Sequence, residues 1–345
     1  MSQTGHPSFR GPGFWDTIKA QVLGVRRLLD CIQVGVTSRC PGRCAYCPHT
    51  TLREQWQSRD MDMDTFSRLW PLLRQSTRVH LQGWGEPLLN PMFFDMAALG
   101  RKAGCAVSTT TCGLRIDTEI AAKLVKSGMD IVAFSLAGTD ALSNASREGV
   151  DFERVCEAIT TLKSAGREHK GTHLEIHIAY LMLASTMEAV AGLPALMQRL
   201  GVQAAVVSTL DYVAAPGLEA ESFGPQETGR LERAAAILAE TAAEARRLGL
   251  GFHYELPRSS ASGTACRENI GRSLYVSADG GISPCVYLNV PADEIDSKHR
   301  VFGNVREQDP LEIWESADFR RFRERLAKGE PDQPCRTCPK RFMEG

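Results

Sequence analysis

The sequence predicts an α/β protein whose main domain is a parallel sheet or an incomplete barrel, followed by a small C-terminal module. Three observations predict this arrangement. Strand and helix patterns alternate six times between about residues 31 and 210. A loop containing Gly and Pro then leads into a helix rich in Ala, Glu and Arg. Seven of the eleven cysteines fall into two patterned groups, one in each part of the chain.

The six strand patterns are short and apolar at alternate positions. A helix pattern separates each strand from the next, so right-handed crossovers should leave the strands parallel. The predicted strands are residues 32–38, 78–83, 106–111, 130–136, 172–182 and 202–210. The predicted helices are residues 63–75 with an interruption at Pro71, a helix near 91–103, and residues 116–128, 152–166 and 186–201.

These patterns divide the chain into four regions. They are an N-terminal arm (1–30), a barrel domain (31–215), a bridging loop and helix (216–262) and a C-terminal module (263–345). The helix of the bridge is expected at about 225–249. In the module, the sequence predicts a hairpin that turns at Asp279, Gly280 and Gly281 and one amphipathic helix that begins near Pro310.

The predicted strands carry apolar side chains on one face and polar side chains on the other. On the fifth strand, Ile176 and Ile178 lie opposite Glu175 and His177. Because the helices should cover the apolar faces, the polar faces should point into the barrel, where branched apolar residues are usual. A polar interior indicates a cavity for a polar ligand. The alternative is that a strand or two is misphased, or that the polar groups satisfy one another.

Composition excludes several classes of function. The 345 residues include 40 Lys and Arg against 41 Asp and Glu, which gives no reason to expect binding to bulk nucleic acid or a membrane surface. No apolar run approaches the roughly 20 residues needed to span a bilayer, and the N-terminus lacks a signal-peptide pattern. We therefore expect a cytoplasmic protein whose cysteines are reduced and serve metal or redox chemistry rather than disulfides.

The first cysteine group is Cys40, Cys44 and Cys47, a C-x3-C-x2-C pattern directly after the first strand. Three thiolates do not complete a tetrahedral zinc site by themselves. They can, however, bind three irons of a four-iron cube and leave the fourth iron open. The alternative is a zinc ion with His49 as its fourth ligand.

With Tyr46 before Cys47, this pattern resembles the cluster motif of the radical S-adenosylmethionine (SAM) superfamily. The segment LQGWGEPLLNP after the second strand resembles that superfamily's Gly-Gly-Glu motif, which contacts the amino group of SAM. Trp84 stands at a position of this motif that often carries glycine. The resemblance implies a SAM site that includes Tyr46, Gly83, Gly85, Glu86 and Pro87.

Two later stretches extend the resemblance. FSLAG resembles the stretch whose serine contacts the SAM carboxylate, which maps to Ser135, and Arg147 lies where relatives often place an arginine on the same carboxylate. In TTTCG, Cys112 replaces the asparagine of the more usual Thr-Asn-Gly. We also consider Glu175 and His177 as candidates for contacts with SAM or substrate inside the barrel. The alternative is that these two residues satisfy each other.

The resemblance covers roughly residues 31–210 and implies a partial (β/α)6 TIM-like barrel with a SAM-binding [4Fe–4S] cluster. It implies that SAM is cleaved by one electron into methionine and a 5′-deoxyadenosyl radical, which takes a hydrogen atom from the substrate. In such a reaction the cofactors carry out the difficult step and the protein orients the substrate. An electron donor such as flavodoxin or ferredoxin is an expected partner.

The second cysteine group is Cys266, Cys285, Cys335 and Cys338. Four thiolates suffice for a structural zinc ion or for a fully ligated four-iron cluster. The spacing C-x18-C followed by C-x2-C resembles the twitch module, a shortened form of the SPASM auxiliary-cluster domain. The resemblance implies one auxiliary [4Fe–4S] cluster, which would accept or relay an electron.

The sequence leaves the substrate open. Our first interpretation is a maturase that oxidises or crosslinks a side chain of a peptide or protein. The alternative is a small-molecule dehydrogenase or cyclase in cofactor or natural-product biosynthesis, and a third possibility is an iron–sulfur scaffold that does not cleave SAM. Asp211, Tyr212 and Tyr287 are candidate bases near the substrate, or else structural residues. Val286 stands where sulfatase maturases carry Asp, which argues against that activity.

Overall fold

One continuous sheet forms the centre of the computed structural model, which describes residues 27–169, 173–257, 266–292 and 299–342. Its strands in chain order are β1 Leu29–Val34, β2 Ser76–Leu81, β3 Ala106–Thr111, β4 Ile131–Leu136, β5 Glu175–Met182, β6 Ala204–Thr209, β7 Gly251–Tyr254, β8 Ser273–Val276, β9 Gly281–Ser283 and β10 Gly303–Asn304. Within the described ranges they lie in the order β10-β9-β8-β1-β2-β3-β4-β5-β6-β7.

Strands β1 to β7 pair in chain order, and each is parallel to the next. The predicted α/β fold with a parallel partial barrel is therefore confirmed. Each of the six predicted strands is present, with ends that differ by a few residues. Because parallel strands align their carboxyl ends, the loops that follow β1, β2, β4 and β6 meet at one edge of the sheet.

Helices connect most of these strands. In chain order they are α1 Pro48–Thr51, α2 Met63–Ser67, α3 Trp70–Arg74, α4 Phe93–Lys102, α5 Thr118–Lys126, α6 Phe152–Glu168, α7 Leu193–Leu200, α8 Thr228–Arg247, α9 Pro310–Glu315, α10 Ala317–Ala327 and α11 Gln333–Arg336. Aspartate caps start α5 and α6, since Asp117 and Asp151 accept hydrogen bonds from backbone N–H groups of their first turns. No helix among the described residues is long and apolar enough to cross a membrane.

Alternation along the strands separates the core from the barrel interior. On β4, Val132, Phe134 and Leu136 are buried, whereas the intervening residues are only half-buried. The buried set packs beneath the helices and forms one hydrophobic core. Leu274 and Trp314 of the C-terminal module belong to the same core, so the module shares its packing with the barrel domain.

The region 216–262 differs from its prediction as a bridge. Helix α8 lies close to its predicted position, but it leads into β7, which pairs in parallel with β6 through Ala204 and Gly251. The region therefore adds a seventh strand to the sheet. A four-residue strand with the sequence GFHY is too short to show a periodic pattern, which explains why it was missed.

The C-terminal module is attached to the barrel through its own strand. The predicted hairpin is present as β8 and β9, with Gly280 at φ +91° in the turn. Strand β8 also pairs in parallel with β1, where Gln33 lies beside Tyr275. The single helix predicted from Pro310 is instead two helices, because the Ser316 side chain caps a second start by accepting a bond from the Phe319 backbone N–H.

The remaining differences are local. The predicted helix 186–201 consists of a 3-10 segment, Ala184–Gly192, followed by α7. The predicted helix 63–75 divides into α2 and α3, and Pro71 lies in the first turn of α3. Most of the predicted N-terminal arm, residues 1–26, lies outside the described residues.

Candidate functional site

The three cysteines of the first group lie in the loop that follows β1, at the carboxyl edge of the sheet. Cys47 occupies the N-cap position of α1, and its carbonyl oxygen accepts bonds from the N–H groups of Thr50 and Thr51. A Cβ atom at Gly42 would lie 3.7 Å from the Sγ atoms of both Cys40 and Cys44. Gly42 therefore lies within van der Waals distance of both thiols, which brings Cys40 and Cys44 to the same part of the loop.

Burial shapes the chemistry of these thiols. Burial raises the pKa of Cys40 to about 11 and that of Cys47 to about 12, and the neighbouring thiols add to both shifts. Thiols in such surroundings stay protonated until a metal binds, because the metal compensates the thiolate charge. Three cysteines in one short loop are a donor set that fits three corners of an iron–sulfur cube.

A second loop fixes the cysteine loop from outside. The backbone N–H groups of Arg43 and Ala45 donate to the carbonyl oxygens of Glu148 (2.7 Å) and Ser146 (2.9 Å). The guanidinium of Arg43 also pairs with the Glu148 carboxylate at 2.6 Å.

The ring of His49, the alternative zinc ligand, packs edge-on against Trp56 with 5.1 Å between ring centroids.

The Gly-Gly-Glu-like loop, residues 83–87, follows β2 and lies directly beside the cysteine loop. Glu86 is 2% exposed, and its backbone N–H donates to the carbonyl oxygen of Arg39 at 2.8 Å. Its carboxylate accepts from the Thr111 hydroxyl and the Cys112 backbone N–H, each at 2.6 Å. Pro87 begins the short 3-10 helix that follows. A buried carboxylate fixed in this way is a suitable partner for an ammonium group.

The glycines of this loop permit a close approach between two pieces of backbone. A Cβ atom at Gly85 would lie 2.3 Å from the carbonyl oxygen of Thr37, and one at Gly83 would lie 2.6 Å from the Tyr275 hydroxyl. Both contacts are too short for any side chain other than hydrogen. The predicted glycine positions are thus required by packing.

Arg147 lies behind the cysteine loop and is only 6% exposed. Its Nη1 donates to the Tyr46 hydroxyl at 3.3 Å. Burial disfavours the charged guanidinium, yet Tyr46 and the thiols of Cys44 and Cys112 leave the pKa of Arg147 above its usual value. Among the described residues, no acceptor lies within hydrogen-bonding reach of its buried Nε. A cation with an unused buried donor fits the carboxylate of an amino-acid ligand.

Ser135, Glu175 and His177 lie on two neighbouring strands but at different levels. Ser135 stands near the carboxyl end of β4, on the half-buried face that points away from the helices. Glu175 begins β5, and its carboxylate lies 2.9 Å from His177 Nε2. This pair is therefore near the amino end of the sheet, away from the cysteine loop, and the two side chains satisfy each other.

Other polar groups on the inner strand faces also bind one another. His80 Nδ1 lies 2.8 Å from the Ser108 hydroxyl, and Gln33 donates to the Gln82 side chain at 3.0 Å. Burial lowers the pKa of His80 to about 4, so the imidazole is neutral at physiological pH. The expected polar interior is present, and for these residues the alternative of mutual satisfaction is what the structure shows.

The four cysteines of the second group line one cavity of about 250 Å³, which we call the auxiliary cavity. They come from three segments of the chain: Cys266 lies before β8, Cys285 after β9, and Cys335 and Cys338 lie in and just after α11. Burial raises the pKa of each thiol, to about 12 for Cys266 and Cys335. Four thiols around one cavity are a donor set that fits a fully ligated cluster.

The candidate bases Asp211, Tyr212 and Tyr287 line the same cavity. Asp211 lies 2.9 Å from Lys340 Nζ and also accepts from the Thr209 hydroxyl at 2.9 Å. Tyr212 and Tyr287 are stacked with 6.1 Å between ring centroids. The structure therefore places all three residues beside the auxiliary cysteines.

Lys340 was missed in the sequence. It is nearly buried and lies between Asp211 and Glu268, at 2.9 and 3.6 Å. Burial works against its charge, but Tyr287, Asp211 and Glu268 keep the pKa of Lys340 well above its usual value. Its position two residues after Cys338 was the only available signal, and that signal was too weak to single it out.

Trp84 also has contacts that its sequence position does not reveal. Its ring lies 5.8 Å from that of Tyr212 and 6.0 Å from that of Tyr287. Trp84, which stands where the motif often carries glycine, therefore connects the 83–87 loop to the auxiliary cavity.

Within the described ranges, no three His, Cys, Asp or Glu side chains converge closely enough to hold a single metal ion.

Comparison with known proteins agrees with this geometry. Residues 34–183 match the model of the Radical SAM superfamily, and residues 266–339 match that of an iron–sulfur cluster-binding domain, SPASM. These ranges contain the first and the second cysteine group, respectively. The 83–87 loop lies inside the first matched region, whereas Asp211 and Tyr212 of the auxiliary cavity lie between the two regions.

Two curated relatives and one solved structure resemble the chain over most of its length. The tungsten-containing aldehyde ferredoxin oxidoreductase cofactor-modifying protein of Pyrococcus furiosus is 25% identical over 314 residues, which cover 84% of this chain and 81% of the relative. The PqqA peptide cyclase of Streptomyces rochei is 25% identical over 335 residues, which cover 90% and 82%.

The solved structure is that of Streptococcus suis SuiB bound to S-adenosylmethionine. It has a TM-score of 0.66 at 15% identity and covers 94% of this chain and 74% of SuiB. At this identity the likeness shows a shared fold. The chain therefore carries a Radical SAM domain over residues 34–183 and a C-terminal SPASM-type iron–sulfur cluster-binding domain over residues 266–339, with SAM and [4Fe–4S] clusters as the cofactors of these domains.

Proposed function

We propose that the protein is a radical SAM maturase that oxidises or crosslinks a side chain of a peptide or protein. In this proposal Cys40, Cys44 and Cys47 hold the SAM-binding cluster. The auxiliary [4Fe–4S] cluster is held by Cys266, Cys285, Cys335 and Cys338. A low-potential donor such as flavodoxin or ferredoxin supplies the electron, and the cytoplasm, where thiols remain reduced, is the expected location.

The observation that carries the proposal is that one side chain, Trp84, links the loop beside the first cysteine group to the auxiliary cavity, which contains the second group. Trp84 belongs to the loop beside the first group and contacts Tyr212 and Tyr287 of the auxiliary cavity. A substrate radical formed near the first group would therefore have a second redox centre close by. This arrangement supports net oxidation of the substrate rather than simple hydrogen transfer.

The chain's own residues have distinct tasks in this proposal. The cofactors supply one-electron cleavage of SAM and a one-electron acceptor. Glu86 binds the ammonium group of SAM, and Arg147 and Ser135 bind its carboxylate. Burial of Glu86 and Arg147 strengthens both contacts, because water does not compete for them. Pro87 and the tight contacts at Gly83 and Gly85 keep the Glu86 loop in place.

At the auxiliary cavity, the proposal assigns proton handling to the polar groups around Lys340. Oxidation of a C–H bond releases one proton for each hydrogen atom that is not carried off by the radical. In this proposal the Asp211 carboxylate, which Lys340 and Thr209 hold in place, accepts this proton. Burial raises the pKa of Tyr287, so its hydroxyl stays neutral.

The peptide substrate class is supported by the likeness to PqqA peptide cyclase over 90% of the chain. The second candidate is a small-molecule reaction in cofactor biosynthesis. It is favoured by the cofactor-modifying relative, which covers 84% of this chain at the same identity. The two candidates share the cofactors and differ only in what enters the barrel.

Anaerobic reconstitution followed by an assay with dithionite and SAM tests the proposal. We expect about eight irons per chain, because each cube holds about four, together with 5′-deoxyadenosine. Absence of 5′-deoxyadenosine from fully loaded protein would contradict the enzyme assignment. Mass spectrometry of candidate peptides encoded near the gene, incubated with the active enzyme, then separates the two candidates: a loss of two or more hydrogens from a peptide supports the maturase.

A further inference from the structure

Within the described residues, Trp84 is the one member of the 83–87 loop whose side chain donates hydrogen bonds to the C-terminal module. Its indole Nε1 donates to the carbonyl oxygen of Val286 at 3.2 Å and to that of Asn289 at 2.9 Å. Both acceptors belong to the short turn that follows Cys285. One side chain therefore joins the loop that carries Glu86 to the loop that carries an auxiliary cysteine.

The backbone on both sides of Trp84 has little room to move. A Cβ atom at Gly83 would lie 2.7 Å from the Gly35 Cα, and one at Gly85 would lie 2.7 Å from the Arg39 carbonyl oxygen. The backbone is thus packed against the neighbouring strand end and the cysteine loop. The Trp84 side chain, which bonds to Val286 and Asn289, is therefore the route by which a change in the 83–87 loop reaches the C-terminal module.

The turn that receives Trp84 has two internal backbone hydrogen bonds, besides one bond from the Arg300 N–H to the Leu288 carbonyl and one from the Asn289 side chain to Ser283. The Asn289 N–H donates to the Val286 carbonyl at 3.1 Å, and the Leu288 N–H donates to the Cys285 carbonyl at 3.2 Å. The Val286 oxygen therefore accepts both from this turn and from Trp84. A single short turn is stabilised by few bonds, so two additional bonds from an indole change its order measurably.

We infer that Trp84 is a positioning residue that couples SAM binding in the barrel to the order of the auxiliary-cysteine turn, residues 285–289. SAM held by Glu86 restrains the 83–87 loop, and the indole passes this restraint to the Val286 and Asn289 carbonyls. The inference rests on the proposed SAM site at Glu86. Because coupling free energies are reciprocal, order in the turn also strengthens SAM binding by the same factor.

Hydrogen–deuterium exchange of the reconstituted, full-length protein tests this coupling, with SAM itself as the probe. In the wild type, saturating SAM should slow exchange in peptides covering 83–89 and 285–289, the latter by about fivefold, a factor typical of one or two hydrogen bonds. In Trp84→Phe, which keeps an aromatic ring and loses the donor, SAM should still slow exchange in 83–89. Exchange in 285–289 should then change by less than about twofold.

Two further variants make the outcome decisive. Trp84→Gly, the residue frequent at this position, should lose the response of 285–289 as completely as Trp84→Phe. Trp70→Phe, a half-buried tryptophan of α3 outside both loops, should respond like the wild type. Iron content and circular dichroism establish that each variant is folded and loaded.

The failures are distinguishable. If SAM slows exchange in 83–89 but never in 285–289 of the wild type, the coupling is absent and the inference is overturned. The same conclusion follows if Trp84→Phe keeps the full response of 285–289. If SAM changes exchange in neither segment of the wild type, the SAM site at Glu86 is itself wrong, and this inference ends with it.

Discussion

Arg147 is the residue whose surroundings constrain the cofactor site most strongly. It is buried, keeps its charge and has a donor, Nε, without an acceptor among the described residues. The Nη1 group of Arg147 donates a hydrogen bond to the Tyr46 hydroxyl. Such an arrangement costs free energy in the ligand-free protein, because a buried donor without a partner has lost its hydration. An anion that binds there recovers that cost.

We therefore predict that Arg147→Gln weakens SAM binding by about tenfold to a hundredfold, the range expected for a charge-assisted hydrogen bond. Arg147→Lys should restore part of the affinity, since the charge remains but the planar fork of donors is lost. Isothermal titration of SAM into the reconstituted protein measures both. Arg154→Gln, which breaks an exposed pair with Glu157, is the control. An unchanged SAM affinity in Arg147→Gln would show that the carboxylate binds elsewhere.

The cysteine groups should be separable by substitution. Replacing Cys40, Cys44 and Cys47 with Ala should remove about four irons per chain and abolish 5′-deoxyadenosine formation. Replacing Cys335 and Cys338 should also remove about four irons but leave part of the uncoupled SAM cleavage. Cys105→Ala, at a buried cysteine outside both groups, should retain all the iron. Zinc in the second site of anaerobically purified protein would contradict the auxiliary-cluster assignment.

At the residue scale, the sequence alone singles out the residues whose chemistry depends on spacing. The cysteines and the Glu86 motif are local patterns, so a single sequence suffices to find them. Lys340 and the contacts of Trp84 depend on segments more than 120 residues apart in the chain, which no local pattern reveals. Glu175 and His177 were correctly assigned to one strand face, but the pattern carried no information on the end of the barrel they occupy.

At the scale of elements, strand periodicity predicted six strands because each of them has one buried face. It failed for β7 and did not show that β8 joins the barrel sheet, because four-residue strands hold too few alternations. Helix starts were predicted best where a cap was present, as at Asp151, after which the predicted and the observed helix both begin at Phe152. The break at Ser316 was missed because the amphipathic pattern continues across it.

The 83–87 loop permits a test at this scale. A Cβ atom at Gly85 would meet the Thr37 carbonyl oxygen at 2.3 Å, so Gly85→Ala must push the loop away from the cysteine loop. We expect a loss of roughly 1–3 kcal/mol in the free energy of unfolding, typical of overpacking, together with weaker SAM binding because Glu86 moves.

Gly229→Ala in α8 is the matched control for Gly85→Ala. A Cβ atom at Gly229 would meet nothing within 4 Å, and the residue lies in a helix. This substitution should stabilise the protein by up to about 1 kcal/mol, the usual difference in helix propensity between Gly and Ala. Denaturant unfolding of both variants measures the contrast, and equal effects of the two substitutions would refute the steric argument at Gly85.

For the whole molecule, the C-terminal module is part of the barrel's own structure. Strand β8 extends the sheet at β1, and the hydrophobic core continues from the barrel into the module. Lys340 adds a charged connection, since Asp211 follows β6 and Glu268 precedes β8. The sheet and this ion pair together fix where the auxiliary cavity lies relative to the barrel.

Lys340 allows this connection to be tested. Lys340→Met removes the cation and leaves the Asp211 carboxylate, 3% exposed, without its partner. Removing one member of a buried pair typically costs about 3–5 kcal/mol, so we expect a clear fall in melting temperature and faster loss of iron to a chelator. Arg321→Met, which breaks an exposed pair with Asp318, should change neither quantity appreciably.

A double substitution separates the charge effect from the loss of packing. Lys340→Met combined with Asp211→Asn removes both charges, so the uncompensated carboxylate of the single variant no longer exists. If the ion pair holds the module against the barrel, the double variant should recover much of the melting temperature lost by Lys340→Met, and the cycle should yield a coupling energy well above zero. Additive effects would instead mean that Lys340 and Asp211 act independently and that β8 alone fixes the module on the barrel.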